Sequence, residues 1–236
     1  MTIIKYKISK LYNLSIFLFK MCQQCEIKPV YEFTNKRKLC KRCFLKYFQK
    51  KVLYIIRKFN LIRKEEVIGY RNDMTFRGAV LEDILNIYSE KYHIKLVKLP
   101  STENKSKLPH KCGRQLPYNC LLFSAPKTQR VFDKKKISKE AAAITIDLEA
   151  DKIIHELIAG NEGVLKKIGP INGKLIKPLY LFLDSEVELY ANLRNLKFKK
   201  KLPIKDKISV FIDELEKKHP ELKRAVVNSY LELYSS

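Results

Sequence analysis

No stretch of this 236-residue chain is apolar for long enough to cross a bilayer. Leu14-Ser-Ile-Phe-Leu-Phe19, bounded by Lys10 and Lys20, falls far short of the roughly 20 residues a spanning helix needs. No small-residue cleavage site follows it, so the sequence gives no sign of a signal peptide either. A second start at Met21, directly before the first cysteine pair, is an alternative beginning of the protein. Acidic residues are scarce: 25 Asp and Glu stand against 48 Lys and Arg, a net charge of +23 with a pI near 9.7. Two readings of that surplus stay open. It favours a polyanion such as RNA or DNA over a neutral substrate. Equally, 38 lysines against 10 arginines, with abundant Ile, Asn and Tyr, are what an A/T-rich genome imposes on any protein. Tryptophan is absent, but 13 Tyr, 12 Phe and a hydrophobic content of 46% suffice for a buried core. The length suits one medium domain plus a small module. His93, His155 and His219 are lone histidines, read as structural, and no Ser/His/Asp arrangement suggests nucleophilic catalysis.

Cysteines are few but ordered. Cys22-Gln-Gln-Cys25, fourteen residues, and Cys40-Lys-Arg-Cys43 form two Cys-x-x-Cys knuckles at a separation that suits a tetrahedral zinc ion. Each knuckle presents two thiolates and the residues between them form a short hairpin returning the chain to the metal. Four thiolates close the coordination sphere, which makes the site structural. A redox Cys-x-x-Cys would not come as a pair, and knuckle cysteines point to a reducing compartment, hence to a soluble cytoplasmic protein. Cys112 and Cys120, with His110 nearby, match no common knuckle and are read as free loop thiols, with a second zinc site as the alternative.

From Phe44 to Lys64 the apolar residues Phe44, Tyr47, Phe48, Leu53, Ile55, Ile56 and Phe59 recur near helical spacing. Lys46, Lys50, Lys51, Arg57, Lys58, Arg63 and Lys64 occupy the rest, so a basic amphipathic helix is expected there. Beyond it, Val67–Tyr70 reads as a strand, Ala79–Tyr92 as a helix and Ile94–Leu99 as a strand. Residues 101–139 read as a loop or insert, Ala141–Ile146 as a buried strand, and Leu148–Ala159 as a helix stopped by Gly160. Such alternation predicts an α/β fold with a parallel sheet covered by helices. Ser185-Glu-Val-Glu188 predicts a capping box opening a helix to about Leu196. Helices over Ile208–Lys218 and Glu221–Tyr234 close the chain. The expected organisation is an extension at 1–21, a zinc module and basic helix at 22–64, and an α/β domain at 65–236.

Cys40-Lys-Arg-Cys-Phe-Leu-Lys-Tyr-Phe-Gln-Lys-Lys51 after the Cys22/Cys25 knuckle resembles the zinc module and first helix of the cytosolic tRNA 2-thiolation proteins. So do Lys177-Pro-Leu179, Ser185-Glu-Val-Glu-Leu-Tyr190 and Phe211-Ile-Asp-Glu-Leu-Glu-Lys-Lys-His-Pro220. The resemblance implies a four-cysteine zinc module preceding an adenine nucleotide alpha-hydrolase (PP-loop) domain. It also implies a heterodimer of a catalytic and a degenerate paralogue that thiolates the wobble uridine of tRNA, supplied through a ubiquitin-like sulfur carrier.

Against that family the sequence departs at two places. Catalytic members carry Ser-Gly-Gly-x-Asp-Ser, whose small residues let backbone amides approach a pyrophosphate at a helix N-terminus. Asp73-Met-Thr-Phe-Arg-Gly78 stands at that position, with Met74 and Thr75 for the glycines and the Asp73 charge where phosphate would sit. Thr145-Ile-Asp147 replaces a later Gly-His-Asn. Cys112 and Cys120, with no cysteine after them, do not supply three ligands for an iron–sulfur cluster. The resulting expectations are a degenerate PP-loop-like domain, zinc as the one cofactor without ATP or an iron–sulfur cluster, and no enzymatic activity of its own. The chain would then be the non-catalytic partner of the thiolase paralogue, helping to bind tRNA. Lys46, Lys50, Lys51, Arg57, Lys58, Lys134, Lys135, Lys136, Lys199, Lys200 and Lys201 are the expected phosphate contacts. A divergent catalytic thiolase and an unrelated zinc-ribbon nucleic-acid-binding or interaction module are the alternatives.

Overall fold

A computed structural model describes residues 21–100, 137–200 and 206–234. The chain divides into two compact units, Met1–Lys51 and Val52–Ser236. In the first, strands β1 (Tyr31–Glu32) and β2 (Lys38–Leu39) form an antiparallel hairpin with Tyr31 opposite Leu39. Its turn is closed by Phe33 N–H on the Arg37 carbonyl at 2.8 Å, with Lys36 at φ 64°.

Helix α1 (Lys41–Lys58) begins inside the last cysteine pair, carries Cys43, and buries Phe44, Phe48, Val52, Ile55 and Ile56, an apolar stripe at helical spacing. It stops six residues before the expected end at Lys64. Asn60 takes φ 48°, its N–H bonds the Arg57 carbonyl, and Leu61 N–H reaches back to Ile56 at 2.9 Å. That is a Schellman stop, with Asn in the place usually held by Gly.

The second unit is built on a five-stranded sheet in the order β4-β3-β5-β7-β6. Strands β3 (Val67–Arg71), β4 (Lys95–Leu99), β5 (Lys139–Ala141) and β7 (Leu175–Ile176) pair in parallel. Strand β6 (Ile171–Asn172) runs antiparallel to β7 across a turn with Gly173 at φ 57°. The flanking helices are α2 (Phe76–Tyr92), α3 (Ile146–Ile158), α4 (Glu162–Leu165), α5 (Asp184–Leu193), α6 (Lys207–Lys218) and α7 (Leu222–Tyr234). A core of Ile146, Ala150, Ile153, Leu165, Ile168, Tyr180, Val227 and Tyr230 joins α3 and α7. The fold is therefore α/β, a mostly parallel sheet flanked by helices with a helical C-terminus, as expected.

Two local expectations need correction. The strand expected over Ala141–Ile146 lies earlier: pairing ends at Ala141, and Ile146 already opens α3, its N–H bonded to the Phe182 carbonyl at 2.9 Å. Ser185 does not cap a helix. Helix α5 begins at Asp184, and Glu186, not Glu188, reaches back to the Leu183 N–H at 3.1 Å. Leucine has no acceptor to complete the box, so only half of it exists. The β6–β7 hairpin was not anticipated.

No helix among the described residues is long and apolar enough to cross a membrane. Because β3, β5 and β7 are parallel, the segments after them open at one edge of the sheet. This is the edge at which open α/β sheets gather their functional groups.

Candidate functional site

The first unit brings its four cysteines together. Their Sγ atoms all lie within 4.8 Å of one another, with Cys25 at 3.6 Å from Cys22, 3.3 Å from Cys40 and 3.5 Å from Cys43. A metal–sulfur bond of about 2.3 Å sets a tetrahedral edge of roughly 3.8 Å, so one ion fits the cluster. The knuckle is shaped by Glu26, at φ 57°, whose N–H bonds the Cys22 carbonyl at 2.9 Å. Cys22, Cys40 and Cys43 are buried, while Cys25 is exposed. Burial pulls the Cys22 thiol up, but the backbone at Cys40 and Gln24 hydrogen-bonds its sulfur and brings it down to about 6. Burial, then the Cys25 sulfur, push Cys43 to about 12.

The second unit places the start of Asp73–Gly78, the segment expected at the phosphate-loop position, between β3 and α2, and its last residues in the first turn of α2. The Met74 and Thr75 amides are already engaged. Asn72 Oδ1 accepts from Met74 N–H at 2.8 Å, and Asp73 Oδ1 accepts from Thr75 N–H at 3.1 Å and from the Thr75 hydroxyl at 2.7 Å. Thr75 caps α2 by accepting from Gly78 N–H at 3.2 Å. On the outer side, Lys199 N–H bonds the Met74 carbonyl at 2.7 Å, so the structure brings Lys199 to this loop through its backbone. Glu82, one turn along α2, takes bonds from Tyr70, Asn72 and Lys98. Burial alone would raise its carboxyl, but Lys98, Asn72 and Tyr70 together hold it below the usual range.

Beside the loop runs a polar chain that sequence reasoning missed. Arg77 grips both carboxylate oxygens of Asp184, and Thr145 donates its hydroxyl to Asp184 Oδ1 at 2.7 Å. Asp184 N–H donates to Asp147 at 2.7 Å. Asp147 in turn meets the buried Lys223 ammonium at 3.0 Å, which also contacts Asp213 and Glu216. Thr145 and Asp147, singled out by position in the sequence, therefore come together with Arg77, though around Asp184. Deeper still, Lys177 and Glu149 form an ion pair with 3% and 1% exposure. Burial lowers the Lys177 pKa despite its partner. Residues 28 apart give no pairing signal in sequence; Lys177-Pro-Leu179 was notable only as a motif.

Of the expected phosphate contacts, Lys46, Lys50, Arg57, Lys58, Lys199 and Lys200 are exposed, and Lys51 is half-buried against Tyr47. Arg57 donates to the Tyr92 hydroxyl at 3.1 Å. Lys134, Lys135, Lys136 and Lys201, like Cys112, Cys120 and His110, lie outside the described residues. His155 is buried 3.4 Å from Asp206, and His93 and His219 end helices.

No protein-family model matches the sequence, and no curated protein matches it. Among solved structures the chain is similar to the U34-tRNA thiolase NcsA from Methanococcus maripaludis with its [4Fe-4S] cluster. The TM-score is 0.73 at 20% identity, over 92% of this chain and 87% of that one. The chain thus shares the fold of that structure, and it carries a four-cysteine site near its N-terminus. One expectation is overturned by this finding. The chain was expected to be no enzyme, a pseudoenzyme beside a catalytic paralogue, yet the structure it resembles over nearly its whole length is itself a thiolase. The substitutions at 73–78 and 145–147 are differences of sequence within that fold, and they do not establish a loss of its chemistry.

Proposed function

We propose that this chain acts in the 2-thiolation of the wobble uridine of tRNA. The observation that carries the proposal is coverage: likeness to a U34-tRNA thiolase extends over 92% of this chain, cysteine module and sheet alike. A net charge of +23 suits a nucleic-acid substrate, whose phosphates supply the attraction. In this reading the edge where β3, β5 and β7 end is the surface turned to the reacting uridine, with Arg77, Thr145, Asp147 and Asp184 ordering it. Arg77 has a bidentate partner in Asp184, so a substrate phosphate recruits it only by competing with that carboxylate. Lys46, Lys50, Lys51, Arg57, Lys58, Lys199 and Lys200, with Lys134 to Lys136 and Lys201, are proposed to meet tRNA phosphates.

The metal proposed for Cys22, Cys25, Cys40 and Cys43 is zinc. Sulfurs within 4.8 Å of one another suit a single ion, whereas a four-iron cluster gives each thiolate its own iron and spreads them further. Bound there, zinc supplies a structural tie. The proposed partners are tRNA and a paralogous thiolase chain with an intact Ser-Gly-Gly-x-Asp-Ser loop, working in the cytoplasm with a ubiquitin-like sulfur carrier. Nucleoside mass spectrometry of tRNA from cells lacking the chain tests the function: 2-thiouridine at the wobble position is expected to disappear. Undiminished thiolation refutes the proposal.

A further inference from the structure

We infer that Arg37 is the anchor of an RNA phosphate site on the four-cysteine module, oriented by Phe33 and Tyr47; this rests on the proposed action on tRNA. The hairpin sets up the arrangement. With Tyr31 opposite Leu39 and side chains alternating along each strand, Phe33 and Arg37 meet across the turn on one face, while Glu32 and Lys38 lie on the other. The Arg37 guanidinium carbon lies 4.8 Å from the Phe33 ring centroid and 5.0 Å from that of Tyr47. The two rings meet edge to face at 5.0 Å and 82°. Stacking of this kind fixes the plane of the fork while leaving its edges to other partners.

No partner of that sort is present among the described residues. Arg37 has no carboxylate among them, and because its Nε is buried an outside ligand meets it at the Nη groups. Glu32 is spent on Lys38 at 3.2 Å. A planar cation of fixed orientation, unclaimed by a carboxylate, matches an oxyanion at that Nη edge. The surroundings decide which kind. Arg42, Lys46 and Lys50 are exposed at four-residue intervals on α1, about 6 Å apart along its axis. The 18-residue helix contains no acidic residue at all. Evenly spaced cations suit the repeating charge of a phosphodiester backbone better than the scattered carboxylates of a protein surface.

The test is binding of the full-length chain to a tRNA transcript over a range of salt, with metal content checked for each variant. Arg37→Ala is expected to weaken binding roughly tenfold and to flatten the log–log salt slope by about one. Arg37→Lys keeps the charge but not the fork, and should recover less than half of the loss. Wild-type binding by Arg37→Ala or by Arg37→Lys overturns the inference. If Arg37→Ala loses its metal, Arg37→Lys alone decides. If the wild-type chain binds no tRNA, the inference falls, while the thiolation reading still stands or falls on the nucleoside analysis. If Arg37→Ala keeps tRNA but loses a protein in pull-down, the face docks on protein and the phosphate site is refuted.

Discussion

Asp151 lies on the face of α3 that also carries Asp147 and His155, four residues to either side. Its Oδ1 is buried without a hydrogen-bond partner. Burial lifts its carboxyl from 3.8 to about 6; Lys223 opposes the rise, Asp213 and Asp147 add to it, and His155 opposes it. A raised carboxyl means that the folded chain binds the proton more tightly than the unfolded one. Stability from this group is therefore full below about pH 3.8 and is lost as pH rises through about 6. The full difference corresponds to about 3 kcal/mol at neutral pH. Partial solvent contact screens it, leaving about 1–2 kcal/mol. Asp151→Asn removes the ionisation and keeps the shape. Urea unfolding of both proteins should coincide at pH 3.5 and diverge by pH 7.5, the variant being more stable by that amount. A gap that does not change between these pH values, or a less stable variant at pH 7.5, refutes the reasoning.

Glu149→Gln or Lys177→Met alone leaves one buried charge without its partner and should cost about 3–5 kcal/mol in urea unfolding. The double replacement Glu149→Leu with Lys177→Met should recover most of that; equal losses in single and double variants refute the pairing argument. Cys22→Ser should abolish bound metal and open residues 22–43 to protease while far-UV circular dichroism of the sheet unit persists, because metal binding and folding of such a module are linked. One metal ion per chain retained by that variant would contradict a four-thiolate site.

Much of the architecture was legible because it rests on local chemistry. Two knuckles fourteen residues apart report a metal site, and the stripe through Phe44, Phe48 and Ile55 reports a helix. Gly160 marked the end of α3, and it does so at φ 68°. Asn60 and Asn195 perform the same stop, but asparagine is common elsewhere in this chain and so carried no contrast. The β6–β7 hairpin was missed because two-residue strands show no alternation, although Asn172-Gly173 is a turn signal. What sequence could not show is the chain from Arg77 through Asp184 to Lys223. Its members are more than 100 residues apart at the first link, and only the parallel strand order draws them to one edge.

The turn before α2 shows that an unusual backbone can be held without glycine. Met74 takes φ 62°, the left-handed turn that glycine adopts freely. Such a conformation costs a methionine on the order of 1 kcal/mol, offset here by Asn72 on its N–H and Lys199 on its carbonyl. The turn is imposed by the strand and helix it connects, and the side chains have adjusted around it. Gly78 completes the adjustment. A Cβ there would lie 2.4 Å from Asp73 Oδ1, the same oxygen that binds the Thr75 amide and hydroxyl. Residues 73 and 78 are therefore expected to couple energetically. Gly78→Ala in the wild-type chain should cost about 1–3 kcal/mol by overpacking. In an Asp73→Gly background the same change no longer meets that carboxylate but still meets Asn72 Oδ1 and the residue-73 backbone nitrogen at 3.1 Å, so its cost should fall without becoming a gain. A double-mutant cycle by thermal unfolding reads the difference, and additive effects at the two positions would show that Asp73 does not sit against Gly78.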